Sequence, residues 1–316
     1  LMLSTLITII TVPYVRQIGY RFGVIDEPDP RKMHSSPIVR LGGLSIVFSF
    51  LITCVIYFLF FNYQNFYDLE TLKSLIVILI ASLLAFLLGM LDDIFIISYW
   101  KRLFFKIFIS SFIWINGVAI KNIDISAVPF FSEESMKIDN SISYIVTILW
   151  FSGITNSINW MDGLDGLAAG ITVIISLGLA IFSIFNGNLF FGLLAIILTG
   201  SCIGFLKNNS YPSTIMMGDG GSYFLGSLLA SLSIVGLQNA NNEIDLFLIL
   251  ILFFIPISDM CYVIFSRIKS GLSPFYPDRR HLHHRLIRYG FSYRKTVLLI
   301  YLLNFLTLIF SFFYFN

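Results

Sequence analysis

The chain has 316 residues, of which 57% are hydrophobic and 12% charged, with a mean hydropathy of +0.86 and a net charge of +2. Soluble domains carry about 25% charged residues, so a soluble enzyme, a nucleic-acid-binding module and a disordered scaffold are excluded. Cys54, Cys202 and Cys261 each lie inside an apolar run and read as small buried hydrophobes, with no disulfide framework implied.

A helix needs about 20 apolar residues to cross a bilayer core, so the charge-free intervals serve directly as candidate spans. Ten follow in chain order: 1–15, 44–61, 74–91, 103–120, 142–160, 167–185, 189–206, 222–237, 246–266 and 297–315. The first lacks the look of a cleaved signal peptide, and because the chain opens on Leu1 the completeness of its amino terminus is left open. Asn186-Gly187-Asn188 supplies the turn that divides the long uncharged stretch between Asp165 and Lys207. The expected fold is an all-α integral membrane protein, a polytopic bundle of about ten transmembrane helices forming one unit over residues 1–316. The loop Lys121–Ser141 is expected to hold a small hairpin or an interfacial helix.

Lys and Arg are retained on the cytoplasmic side. One set of alternating loops carries 17 of the 20 basic residues, and the other carries only Lys73, Lys121 and Lys137. The basic set, with all four histidines, is therefore expected inside and both termini outside, which makes the chemistry cytoplasmic.

The polar residues gather on that side. Asp92 and Asp93 end the third span; adjacent carboxylates repel, raise one another's affinity for protons or cations and suit a divalent-metal site or a base. Asn156, Asn159, Asp162 and Asp165 recur every third residue and form one polar stripe while the segment stays helical. The ligand order of a calcium loop is absent from them. Met216-Met217-Gly218-Asp219-Gly220-Gly221-Ser222 resembles an anion-binding helix start, without the Walker lysine. In the largest inner loop Arg280, His281, His283 and His284 sit among further cations. No thiolate accompanies them and the surrounding positive charge disfavours zinc, so this loop is expected to bind phosphate. The segment 26–37, rich in proline, reads as an ordered non-helical loop. Asp259 falls inside the ninth span, where a carboxylate costs about 2.5–3.5 kcal/mol; it is expected to face the bundle interior, as a structural partner or in catalysis. Together these clusters point to phosphoryl transfer between a soluble phosphate donor and an acceptor in the lipid phase, with Mg²⁺ held by carboxylates and substrate phosphates.

The motifs Gly89-Met-Leu-Asp92-Asp93, Asn156 through Gly166, Met217-Gly-Asp219-Gly-Gly-Ser222 and His281-Leu-His283-His284 resemble those of the polyprenyl-phosphate N-acetylhexosamine-1-phosphate transferases, glycosyl transferase family 4. The resemblance runs from Asp26 to His284. The His-Leu-His-His pattern and the Arg40-Leu-Gly-Gly stretch look like the bacterial undecaprenyl-phosphate N-acetylglucosaminyl 1-phosphate transferases rather than the phospho-N-acetylmuramoyl-pentapeptide branch. The resemblance implies attack of undecaprenyl phosphate on the β-phosphate of a UDP-N-acetylhexosamine with release of UMP, an early membrane step of cell-envelope polysaccharide synthesis. UDP-GlcNAc is the expected donor; UDP-GalNAc, a 6-deoxy sugar and UDP-MurNAc-pentapeptide are the alternatives, and an anion transporter is the remote one. It further implies Mg²⁺, with Mn²⁺ as substitute, on Asn159 and Asp219; Asp165 at the uracil and Asn156 also on substrate; Asp162 as a catalytic residue that is a further nucleotide or metal-shell group; Asp92 acting on the lipid phosphate with Asp93 in support; and Arg280, His281, His283 and His284 on the diphosphate and sugar. Met216 stands where relatives often place an aromatic residue that stacks on uracil. The setting implied is the bacterial cytoplasmic membrane, with a homodimer left open and no nucleic-acid partner.

Overall fold

The computed structural model describes residues 1–27, 37–60, 69–125 and 135–315. Twelve helices make up most of it: α1 (Met2–Phe22), α2 (Gly43–Phe60), α3 (Leu69–Phe95), α4 (Tyr99–Ile115), α5 (Asn140–Met161), α6 (Leu167–Phe185), α7 (Leu189–Asn209), α8 (Gly218–Gly236), α9 (Leu246–Leu252), α10 (Phe254–Lys269), α11 (Leu282–Arg288) and α12 (Tyr293–Phe315). Seven of these helices are each long and apolar enough to cross a bilayer, and α9 with α10 makes an eighth, broken span. The 17-residue α4 and the glycine- and serine-rich α8 complete the ten segments read from the sequence.

The centre of the bundle is α8. Every residue of it except Asp219 is buried, and α2, α3, α5 and α6 pack around it. Shielded by protein, α8 has no need of the strong hydropathy that a lipid-facing helix requires. Its small residues let neighbouring backbones approach closely. At Gly89 of α3, a side chain would collide with the Asp219 carbonyl, so the glycine is what lets the carboxylates of α3 reach the start of α8.

The ninth span differs from the single helix expected. Its halves, α9 and α10, meet at an 80° bend. Pro256 explains the break: it has no N–H for the carbonyl of Leu252, where α9 ends. Helix α3 extends beyond its expected bounds and carries Asp92 and Asp93 in its last turn.

Among the described residues five short strands decorate the helices. β1 (Ile25–Asp26) pairs antiparallel with β2 (Ile38–Val39); residues 28–36, including His34, lie outside the described residues. At the other end of the bundle β3 (Asn122–Asp124) and β4 (Ser135–Lys137) form the expected hairpin, and β5 (Ile244–Asp245) adds in parallel to β3.

Candidate functional site

The polar clusters from four separate stretches of sequence meet at one end of α8. The Asn159 side chain, on the last turn of α5, donates through Nδ2 to Asp219 Oδ1 at 2.8 Å and to Ser222 Oγ at 2.9 Å. Its Oδ1 faces the opposite way in the amide and stays available as an acceptor. Asp93 accepts the N–H groups of Asp219 and Gly220, both at 3.1 Å. It therefore caps the first turn of α8, where four N–H groups have no helical partner, and it pairs with Arg40 at 3.3 Å. Asp92 accepts from Ile97 N at 2.8 Å and pairs with Arg102 at 2.6 Å. The two adjacent aspartates thus do different work: Asp93 fixes the Asp219 turn, and Asp92 orients a guanidinium.

Two clefts adjoin this Asn159–Asp219 ridge: Asn159 lines the first, and Gly218, next to Asp219, lines the second. The first, of about 280 Å³, is lined by Arg102, Lys106, Asn156, Asn159, Arg267 and His281 with an aromatic rim that includes Tyr99, Trp160, Tyr223 and Phe275. Lys106 is buried; its ammonium donates to Asn156 Oδ1 at 2.5 Å and lies 3.7 Å from the Tyr223 ring centre. Among the described residues no carboxylate forms an ion pair with it. Tyr99 stacks on Phe275 at 3.9 Å and closes one side.

The second cleft, of about 310 Å³, is lined by Asp26, Arg40, Asp162, Asp165, Met216 and neighbouring backbone. Asp165 accepts from the Ser213 N–H and hydroxyl, both at 2.9 Å, and each oxygen keeps a second lone pair. Burial, followed by repulsion from Asp219, holds the Asp162 carboxyl well above the ordinary carboxylate range.

The histidine loop divides. His281 lines the first cleft and is held from behind by Asp259, whose Oδ2 lies 2.9 Å from Nδ1. His283 is buried against Gly163, where a side chain would collide with its ring. Burial, with His284 and His281 alongside, pushes its imidazole down to about 3, so it is neutral at working pH. Arg280 is turned toward α10: it donates to the Ser266 carbonyl at 2.5 Å and to the hydroxyls of Ser266 and Ser270, and it pairs with Asp278. His283, His284 and Arg280 line neither of these clefts: His283 packs on Gly163 and Arg280 on α10. Lys106, Arg102 and Arg267 line the first cleft beside His281. In the sequence they read only as topological charges, and their one local signal is Lys106, set four residues beyond Arg102 inside a span.

Among the described residues no three His, Cys, Asp or Glu side chains converge as a ready chelate. The donor set nevertheless suits Mg²⁺, which takes one or two protein carboxylates and completes its shell with phosphate and water. Burial and then the charge of Asp219 raise the Asp162 carboxyl, and a divalent cation would relieve the part that is repulsion.

Residues 75–237, which carry three of the four motifs, match the model of glycosyl transferase family 4. The chain is 33% identical over 306 residues to a "Probable undecaprenyl-phosphate N-acetylglucosaminyl 1-phosphate transferase" of Bacillus subtilis, covering 96% of this chain and 80% of that protein. The chain belongs to glycosyl transferase family 4. More distant members include a decaprenyl-phosphate N-acetylglucosaminephosphotransferase of Mycobacterium tuberculosis, 29% identical over 95% of this chain and 78% of its own length. An undecaprenyl-phosphate alpha-N-acetylglucosaminyl 1-phosphate transferase of Escherichia coli is 24% identical over 93% of this chain and 77% of its own. The matches span nearly all the helices, so family 4 membership applies to the bundle and to both clefts.

Proposed function

We propose that the protein transfers N-acetylhexosamine 1-phosphate, with GlcNAc-1-phosphate the first choice, from a UDP-sugar to undecaprenyl phosphate and releases UMP. The observation that carries the reading is the ridge of Asn159 and Asp219 between a cleft lined by cations and a cleft lined by carboxylates. Relatives from several bacteria, named for the transfer of N-acetylglucosaminyl phosphate to a polyprenyl phosphate, support the same reading.

An oxygen of the lipid phosphate attacks the β-phosphorus of the UDP-sugar, and the bridging oxygen leaves with the α-phosphate as UMP. One phosphoanhydride replaces another, so the task is to position the groups and neutralise charge. Asn159 and Asp219 would hold Mg²⁺, which supplies charge neutralisation on the diphosphate when bound. Lys106, Arg102 and Arg267 receive the phosphate oxygens in the first cleft, and its aromatic rim meets the first isoprene units. Asp165 accepts from the uracil N–H in the second cleft, where Met216 packs on the base. Asp93 keeps the Asp219 turn in register, and Asp92 aims Arg102. The 17 basic residues on the loops at the site end support a cytoplasmic active site.

The test is to incubate purified protein in detergent with undecaprenyl phosphate and radiolabelled UDP-GlcNAc, with Mg²⁺ or EDTA, beside Asp219→Asn. Metal-dependent label in the lipid phase with UMP release, lost in the variant, is the expected result. If a panel of UDP-N-acetylhexosamines yields no UMP, the reading is wrong.

A further inference from the structure

The buried face of α10 presents Asp259, Val263 and Arg267 at four-residue spacing toward the segment 274–282. Each polar member holds part of that segment. Arg267 donates to both oxygens of Asp278, at 3.2 and 3.0 Å, and to the Pro274 carbonyl at 2.6 Å. Asp259 engages its far end through two different atoms. Its Oδ1 accepts the backbone N–H of Leu282 at 2.6 Å, the first N–H of α11. Its Oδ2 faces His281 Nδ1 at 2.9 Å.

The Asp259 side chain has no exposed surface and the His281 side chain has 10%. An ionised carboxylate inside a bundle is costly unless it is hydrogen-bonded, and here the two donors are the Leu282 N–H and the imidazole. Since a carboxylate only accepts, it fixes the proton on Nδ1. In the neutral ring Nε2 then keeps its lone pair. Trp160 packs edge-on against the ring at 5.2 Å, and Arg267 lies 5.2 Å from the Trp160 ring centre, so the imidazole is held from the side as well as from behind.

We propose that Asp259 is a positioning residue that locks His281 in this tautomer, and that His281 Nε2 is the base that takes the proton from a monoprotonated lipid phosphate in the first cleft. The inference rests on the transferase reading given above. The proton passes from the phosphate O–H to Nε2, the resulting dianion attacks the β-phosphorus, and the imidazolium, facing Asp259, returns the proton to the departing UMP phosphate or to water. No oxidant or further reactant is needed. A carboxylate opposite the ring nitrogen that faces away from substrate is the arrangement by which an imidazole base is aimed elsewhere in enzymes.

Asp259→Asn tests this with little structural change, because its amide oxygen still accepts from Leu282 N–H while its NH₂ now donates toward Nδ1 and transfers the ring proton to Nε2. In the lipid-phase assay this variant is expected to lower kcat about 100-fold with both KM values nearly unchanged. His281→Gln is expected to lose a similar factor, and the double variant to fall no further, since both act through one nitrogen. A rate near wild type for Asp259→Asn, or losses that multiply in the double variant, would overturn the proposal. Diethyl pyrocarbonate labelling reads the same nitrogen without turnover. Wild-type protein should carry the adduct on His281, and folded Asp259→Asn should lose most of it; equal labelling contradicts the proposed tautomer. A wild type that labels as expected yet yields no UMP from any UDP-sugar would sink the transferase reading while leaving the Asp259–His281 geometry intact.

Discussion

One cleft takes in Asn159 and the other Gly218, next to Asp219, and the two have nearly the same volume, yet they differ in how their charges are matched. In the first, Arg102 and Arg267 are already paired, with Asp92 and Asp278. Lys106 has an amide and an aromatic ring as its partners instead. A buried ammonium without a counter-ion is expensive, and an incoming phosphate supplies the missing charge. The second cleft has the opposite imbalance: Asp26, Asp162 and Asp165 face Arg40. Carboxylates accept N–H groups and repel phosphate. The first cleft accordingly suits the charged end of each substrate, and the second suits a neutral base that offers hydrogen-bond donors.

The largest expected effect lies on the Asn159–Asp219 ridge. Asp219→Asn should reduce turnover about 1,000-fold, on the scale of losing a main stabiliser of transferred charge, with thermal stability as the control for folding. Next comes the cationic cleft: Lys106→Met should cost about 100-fold and leave binding of uridine, which has no phosphate, unaltered by calorimetry. If uridine binding fell in parallel with turnover, the division between the clefts would be lost. In the acidic cleft, Met216→Ala should raise KM for the UDP-sugar about threefold, the worth of a thioether on a ring face. Met216→Phe should lower it.

The smallest effect belongs to stability alone. The His283 pKa is depressed to about 3 from an ordinary 6.5, chiefly by burial. The unfolded chain therefore binds the proton first, and the neutral ring contributes stability that is complete above 6.5 and lost as pH falls toward 3. Melting temperatures between pH 7 and pH 4 should decline less steeply in His283→Gln than in wild type, while the transferase rate at pH 7 changes little. A large loss of rate would return His283 to the phosphate-binding group.

Much of this architecture is legible in the sequence because a bilayer imposes a simple rule: uncharged runs of sufficient length become spans. All ten candidate spans have their helices, and the paired strands β3 and β4 are one of the two forms expected for the loop Lys121–Ser141. The 80° bend in the ninth span was missed, although Pro256 is the residue that breaks it. The site is legible in a different way. The motifs show which polar residues gather at one end, but which atoms they offer depends on packing. Asp92 and Asp93 are adjacent and chemically alike; the roughly 100° between neighbouring residues around a helix sends one to Arg102 and the other to the α8 terminus. His281 and His283 are two residues apart, and one lines the cleft while the other is sealed under Gly163. Lys106 was read as a topological charge because nothing in its neighbourhood of sequence reveals that α5 and α8 close over it.

The assignment of uridine to the acidic cleft is the claim on which the rest depends, and Asp165→Asn tests it most directly. Steady-state kinetics with both substrates varied should show KM for the UDP-sugar raised about tenfold, the value of one hydrogen bond to a charged group, with KM for undecaprenyl phosphate unchanged. A rise confined to undecaprenyl phosphate would place the lipid where this account places the nucleotide, and would contradict it.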